Sequence, residues 1–128
     1  MKKTFLITSL ILSACGKAPE TQTREAIETD IGAYMIVQGK NYDSKDLGPY
    51  AASLPPIYEK YGGRYVAFAP QFDIVEGTSD AQAIIISGWP DVKAAKAFWD
   101  SPEYAKAIKL REGIGEFDVV ILPALTQK

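Results

Sequence analysis

The 128-residue chain has no histidine, one cysteine and three arginines. Without histidine it can build no imidazole haem ligand, no histidine-based catalytic triad and no histidine zinc site. A single cysteine forms no internal disulfide and says nothing about redox compartment. So few arginines, with no block of five or six like charges, leave no basic stripe for a phosphate backbone, which argues against nucleic acid as a partner. Phosphate-cradle, EF-hand and dinucleotide motifs are missing too, so neither a metal nor a cofactor is expected. What is present is 47% hydrophobic, 23% charged and 11% aromatic residues at a formal charge of -2, a balance that predicts one folded domain with one core.

The cysteine has a distinctive setting. Lys2 and Lys3 precede the apolar run "TFLITSLIL" (4–12) and the small residues Ser13 and Ala14, the layout of a secretory signal. That run falls short of the roughly 20 apolar residues a membrane-spanning helix needs. "LSAC" (12–15) resembles the lipobox of bacterial lipoproteins. The resemblance implies cleavage after residue 14, a diacylglycerol thioether on Cys15 and an amide-linked third chain such as palmitate. Two or three acyl chains, at about 0.8 kcal/mol per buried CH2, hold a protein on a bilayer stably. The expected location is therefore the cell envelope, lipid-anchored. Gly16 stands where aspartate would signal inner-membrane retention, which favours the periplasmic face of the outer membrane if the source is Gram-negative. Cleavage by the ordinary signal peptidase, leaving a free thiol, is the alternative.

Residues 15–31 read as a lipidated N-terminus and tether, poor in apolar side chains and without a period, with an r.m.s. reach of about 20 Å. From 32 to 125 strand and helix signals alternate. "AYMIVQG" (33–39) predicts a strand. Leu47, Ala51, Leu54, Tyr58 and Tyr61 share one helical face across 44–63. Pro55 and Pro56 predict a kink there or a fresh start capped by Ser53, and Gly62–Gly63 an αL stop. "RYVAFAP" (64–70) and "QAIIISGWP" (82–90) predict strands, and "QFDIVEG" (71–77) a short edge strand between them. Residues 91–113 predict a helix interrupted at "DSPEY", where Ser101 caps and Pro102 opens a second segment. "EFDVVILPA" (116–124) closes the chain as a strand. This order is the ferredoxin-like βαββαβ pattern, an α+β fold with both helices on one face of an antiparallel sheet.

Alternation along the strands makes both sheet faces apolar. Ala33, Met35, Val37, Phe117, Val119, Ile121, Ala83, Ile85 and Trp89 occupy one face, and Tyr34, Ile36, Val120, Leu122, Ile84 and Ile86 the other. Helices cover only one of them. Each large side chain left on the second face forgoes about 1.5–3 kcal/mol of burial. A second sheet is the expected cover, which predicts a homodimer with two sheets packed as a barrel.

"YEKYGGRYV" (58–66), "IVEG" (74–77), "GWPDVKAAKAFWDSPEYAKAIKLRE" (88–112) and "VVIL" (119–122) resemble the bacterial domain-of-unknown-function family 1330, of the dimeric α+β barrel superfamily. The resemblance covers about 32–123 and implies a dimeric α+β barrel. It implies no single activity, because the superfamily spans monooxygenases, haem-degrading enzymes, isomerases and simple binders, and a fold is a weak warrant for chemistry. The lipoprotein leader departs from typical members.

The polar and aromatic residues of those stretches are the site candidates: Arg64, Glu76, Trp89, Tyr104 and Arg111, with Ser101 read as a helix cap. Each also has a structural reading. Arg64 and Glu76 would pair across a hairpin, Trp89 and Tyr104 would be core aromatics, and Arg111 would serve a helix end. Tyr104 and Arg111 lie seven positions apart, two turns on one helical face. Together, aromatic walls and guanidinium groups would suit a small anionic or phenolic ligand. Three functions stay open: a lipid-anchored binding or accessory domain without catalysis, a cofactor-free oxygenase or isomerase, and a protein-interaction module at a membrane complex.

Overall fold

A computed structural model describes residues 31–125. The expected leader, Cys15 and the tether as far as residue 30 lie outside the described residues. Eight elements follow in order: β1 (Ala33–Lys40), α1 (Gly48–Tyr61), β2 (Arg64–Ala69), β3 (Ala83–Trp89), α2 (Val92–Trp99), α3 (Pro102–Ile108), a 3-10 turn (Lys109–Arg111) and β4 (Glu116–Pro123). The four strands form one sheet in the order β2-β3-β1-β4, and every neighbouring pair is antiparallel. This is the ferredoxin-like α+β fold that the alternation of signals predicts.

Local chemistry explains the element ends. Gly62 takes φ 77°, and the N–H groups of Gly62 and Gly63 donate to the carbonyls of Glu59 and Tyr58, closing α1 in the left-handed turn a glycine tolerates. Gly63 also lies so close to the Trp89 ring that a Cβ there would meet it at 2.5 Å. Asp91 caps α2 by accepting from the Ala94 N–H at 2.6 Å. Ser101 caps α3 by accepting from the Tyr104 N–H at 3.1 Å, while its own hydroxyl donates back to the Phe98 carbonyl at 2.7 Å. One serine thus closes α2 and opens α3, which is why the helical stretch breaks there.

Two expectations need correcting. Pro55 and Pro56 do not start a new helix: α1 runs through them, and Ser53 lies inside it with its hydroxyl donating to the Tyr50 carbonyl at 2.7 Å. Leu54, Ile57 and Tyr58 bury against the sheet on either side of the prolines, and that packing outweighs the lost backbone bonds, about 3 kcal/mol for an interior proline. The edge strand at 71–77 does not form. Residues 71–77 are irregular, because Pro70 has no N–H to carry a ladder onward and Gly77, at φ 78°, bends the chain. Glu76 therefore sits in an exposed loop rather than on a strand, and the hairpin expected to set it opposite Arg64 is not made; Arg64 begins β2 opposite Gly88.

The core lies between the sheet and the helices. Tyr58, Trp89, Phe98 and Tyr104 form a continuous aromatic cluster of edge-on and tilted rings, with centroid separations of 5.1 Å for Tyr58–Trp89, 4.9 Å for Tyr58–Phe98, 4.7 Å for Trp89–Phe98 and 4.5 Å for Phe98–Tyr104. Met35, Leu54, Ala95 and Ala107 fill the spaces between the rings. On the other side of the sheet the register brings Ile36 opposite both Ile86 and Val120, and Tyr34 opposite Leu122. Val66, Val120 and Leu122 are exposed there, Val120 by 55%.

Candidate functional site

The helix face of the sheet is not filled along its whole length. Beyond the aromatic cluster, toward the start of α1, the register lines up Val37, Gly39, Ile85 and Phe117 on the sheet. Opposite them α1 and the turn before it present Leu47, Gly48, Tyr50, Ala51 and Leu54. Between these surfaces lies a cavity of about 350 Å3, closed at the sides by Tyr42, Ser44, Tyr58, Tyr65 and Phe68. The hollow has a cause in the sequence. Gly39, Gly48 and Ala51 present little or no side chain where a filled core would carry Leu or Ile. At Gly39 a Cβ would approach the Tyr42 ring to 2.9 Å and the Phe117 ring to 3.2 Å, so the glycine lets these two rings lie flat on the strand, 5.8 Å apart.

A register irregularity in β2 shapes the same wall. Arg64 and Tyr65 pair opposite Gly88 and Ser87, but Ala67 follows opposite Ile86, so the ladder slips between Tyr65 and Ala67. The slip turns both Tyr65 and Phe68 toward the cavity. Gln82 fastens the loop that carries Tyr42: its side-chain carbonyl accepts from the Tyr42 N–H at 2.9 Å and its amide donates to the Tyr42 carbonyl at 3.2 Å.

The lining is apolar apart from hydroxyls. Tyr42, Tyr50, Tyr58, Tyr65 and Ser44 contribute the polar side-chain atoms, and no charged residue is among the described lining residues. Burial pushes the Tyr50 hydroxyl well above the usual phenol range, with the neighbouring Tyr104 adding to the rise and the Arg111 charge partly opposing it. Tyr58 is raised by burial and by Tyr65 beside it, and Tyr65 is raised by burial. These three tyrosines stay protonated at neutral pH and serve as hydrogen-bond donors and acceptors rather than as bases.

Of the residues singled out from sequence, none lines the cavity, but two stand directly behind its wall. Tyr104, 3% exposed, sets its hydroxyl 3.0 Å from that of Tyr50. Arg111, 8% exposed, places its guanidinium carbon 5.3 Å from the Tyr50 ring centre and 4.2 Å from that of Phe117. Tyr104 in α3 and Arg111 in the 3-10 turn that follows it thus come to one place, and the place is Tyr50. Trp89, 1% exposed, is instead a core ring whose Nε1–H donates to Ser87 Oγ at 3.0 Å. Arg64 at the start of β2 and Glu76 in its loop are brought into neither group. The lining residues that sequence reasoning missed, Tyr42, Tyr50, Tyr65 and Phe68, carried one legible signal. They are large aromatics flanking glycines and alanines, a contrast visible only once the register is known.

Residues 32–125 match the model of the domain of unknown function DUF1330. The chain belongs to the DUF1330 family. No curated protein matches it. Among solved structures, the DUF1330 domain is similar to the RPA0582 protein of unknown function from Rhodopseudomonas palustris, at 18% identity and a TM-score of 0.60, over 85% of this chain and 95% of that one. It is also similar to SnoaB, a cofactor-independent oxygenase from Streptomyces nogalater, at 12% identity and a TM-score of 0.52, over 77% of this chain and 96% of that one. At these identities the likeness is one of fold, the ferredoxin-like α+β fold.

Proposed function

We propose that this DUF1330 domain binds a small, largely apolar organic molecule in the cavity between α1 and the sheet, as a homodimer tethered to the cell envelope through lipid on Cys15. The observation that carries the binding reading is the cavity itself. It has about 350 Å3 of space inside a domain of this size, with aromatic walls and a few hydroxyl-bearing residues among them, which is the make-up of a small-molecule site. The apolar outer face of the sheet supports the dimer, since Tyr34, Ile36, Ile84, Ile86, Val120 and Leu122 have no helix of their own over them. The lipobox-like "LSAC" supports the anchor.

Binding without catalysis is favoured over oxygenase or isomerase chemistry by the protonation of the site. Proton abstraction from a substrate needs a base within hydrogen-bond reach and with a pKa near the working pH. The described lining offers no carboxylate, and burial holds Tyr50, Tyr58 and Tyr65 neutral. The test is a thermal-shift screen of the purified protein against one- and two-ring phenols, quinones and aromatic acids, repeated with Ala51→Trp. Hits in the wild type that vanish when the tryptophan blocks the cavity support the reading. Hits that survive the substitution, or no hits, overturn it. For the anchor, Cys15→Ala should abolish acyl labelling, and label retained in that variant would remove it.

A further inference from the structure

A buried charge next to the cavity has no carboxylate partner among the described residues. Arg111 is 92% shielded, since only 8% of it is exposed, and its Nε has no hydrogen-bond partner among the described residues. No carboxylate among them pairs with it either; the carboxylates that form ion pairs there do so with Lys40 and Lys60. Buried cations are ordinarily paired, because desolvation is costly without an opposite charge. Here the guanidinium rests against the π-faces of Tyr50 and Phe117, an attraction that offsets part of that cost but leaves the positive charge uncompensated. Both of those rings are walls of the cavity. The charge therefore stands one aromatic ring behind the space a ligand would fill, in surroundings of low polarity.

The hydroxyl pair adds a direction. Tyr104 is buried, and Tyr50 Oη is the partner the structure gives its hydroxyl. If Tyr50 donated to Tyr104, the Tyr104 proton would be a buried donor with nowhere to go, which is the costlier arrangement; an under-used oxygen lone pair costs less. Tyr104 thus donates to Tyr50. The Tyr50 O–H is then not spent on Tyr104, and it belongs to a residue that lines the cavity and whose ring has a cation as its other neighbour.

Resting on the proposal that the cavity is a ligand site, we infer that its ligand is an acidic organic molecule bound as the anion, a carboxylate, phenolate or enolate on an aromatic or similarly flat frame. Tyr50 donates to the ionised oxygen, Tyr104 fixes the direction of that donation, and Arg111 acts as a positioning residue that balances the ligand's charge through the Tyr50 and Phe117 rings. Arg111 in this view does not touch the ligand.

The experiment compares 2-naphthoate with its neutral isostere 2-naphthamide by isothermal titration at pH 7, on the purified full chain and on Arg111→Gln, Arg111→Lys and Tyr50→Phe. The wild type should bind the acid at least tenfold more tightly than the amide, equivalent to about 1.4 kcal/mol. That ratio should fall to within about threefold of unity in Arg111→Gln and in Tyr50→Phe, and Arg111→Lys, which keeps the charge, should retain most of it. Amide affinity should change little in the two Arg111 variants, which do not touch the ligand. A merely structural arginine would shift both ligands together, so an unchanged acid-to-amide ratio in folded Arg111→Gln overturns the inference. Should that variant fail to fold, the wild-type ratio and Tyr50→Phe decide the matter, and equal binding of acid and amide by the wild type also overturns it. If the amide binds without preference, the cavity reading survives and this inference falls; if neither compound binds, both fall.

Discussion

The helix face of the sheet has two halves that share an architecture and differ in filling. In one, Trp89, Phe98, Tyr58 and Tyr104 pack edge-on and tilted against one another, with Met35 and Ala95 in the same cluster. In the other, Tyr42, Tyr50, Tyr65, Phe68 and Phe117 surround open space. Aromatic content does not separate them. What separates them is filling between sheet and helix: Phe98 of α2 and Tyr104 of α3 pack into the first half, whereas in the second Gly48 and Ala51 at the start of α1 and Gly39 on the sheet leave a gap that no side chain of α2 or α3 lines. The same residue types thus make a core where side chains of α2 and α3 pack among them and a cavity where they do not. Stability should reside in the first half and ligand specificity in the second.

The sharpest way to break this contrast is to truncate one ring in each half. Phe98→Ala should lower the unfolding free energy by about 3–5 kcal/mol, the usual cost of deleting a fully buried phenylalanine. Phe68→Ala, whose ring is 66% exposed, should cost about 1 kcal/mol or less. Urea denaturation of both variants checks the pair, and equal losses would mean that the cavity half is also structural core.

A matched enlargement tests the same difference from the other side. Ala95→Leu places extra methyl groups where Ala95 is 0% exposed and should destabilise by about 1–3 kcal/mol through overpacking. Ala51→Leu, on an exposed position at the cavity rim, should stay within about 0.5 kcal/mol of the wild type and weaken binding of any ligand found in the thermal-shift screen.

Protonation distinguishes the halves more gently. The folded-state pKa of Tyr50 is raised, so the unfolded chain gives up that proton first, and stability is fully present below about pH 10 and declines as pH rises beyond it, by up to about 1.4 kcal/mol per pH unit for one such group. Tyr50→Phe should flatten the decline between pH 9 and 11, and an identical slope in both proteins would assign the alkaline loss to other groups.

The smallest effect concerns the pair that ties α1 to α3 at the surface, Lys60 with Glu103. The lysine's hydrogen bond holds the Glu103 carboxyl below its usual range, so whatever the pair contributes is present above the ordinary carboxylate pKa and is lost as pH falls through the lowered one. Glu103→Gln should lower the melting temperature slightly at pH 7, with the difference from wild type vanishing on acidification. A difference that persists at low pH would point to packing rather than charge.

Much of this architecture was legible because it is written in local chemistry. The period-two apolar runs marked all four strands, Gly62–Gly63 marked the end of α1, and Ser101–Pro102 marked the break between α2 and α3. The failures also have causes. Pro55 and Pro56 looked like breakers because propensity is local, while the burial of Leu54, Ile57 and Tyr58 that carries the helix through them depends on a sheet distant in sequence. The stretch 71–77 looked like a strand because its side chains suit one, but pairing depends on a partner edge and on the missing N–H of Pro70. The nearness of Tyr104 and Arg111 was legible from their separation in sequence, although Arg111 falls in the 3-10 turn after α3; that they meet at Tyr50 was not legible.

By itself, then, the amino-acid sequence determined the order and type of the elements, the apolar character of both sheet faces and the lipobox-like start, all of which rest on neighbours within a turn or a strand. Only the tertiary structure decided that Leu47, just before α1, and Ala51 on α1, which patterning assigns to the core, border a cavity instead, and that an arginine is buried behind its wall with no carboxylate paired to it among the described residues. Those facts arise from which residues the β2-β3-β1-β4 register and the seating of α1 bring face to face, and whether opposed side chains fill or leave a space is a property of the pair, which neither segment encodes alone.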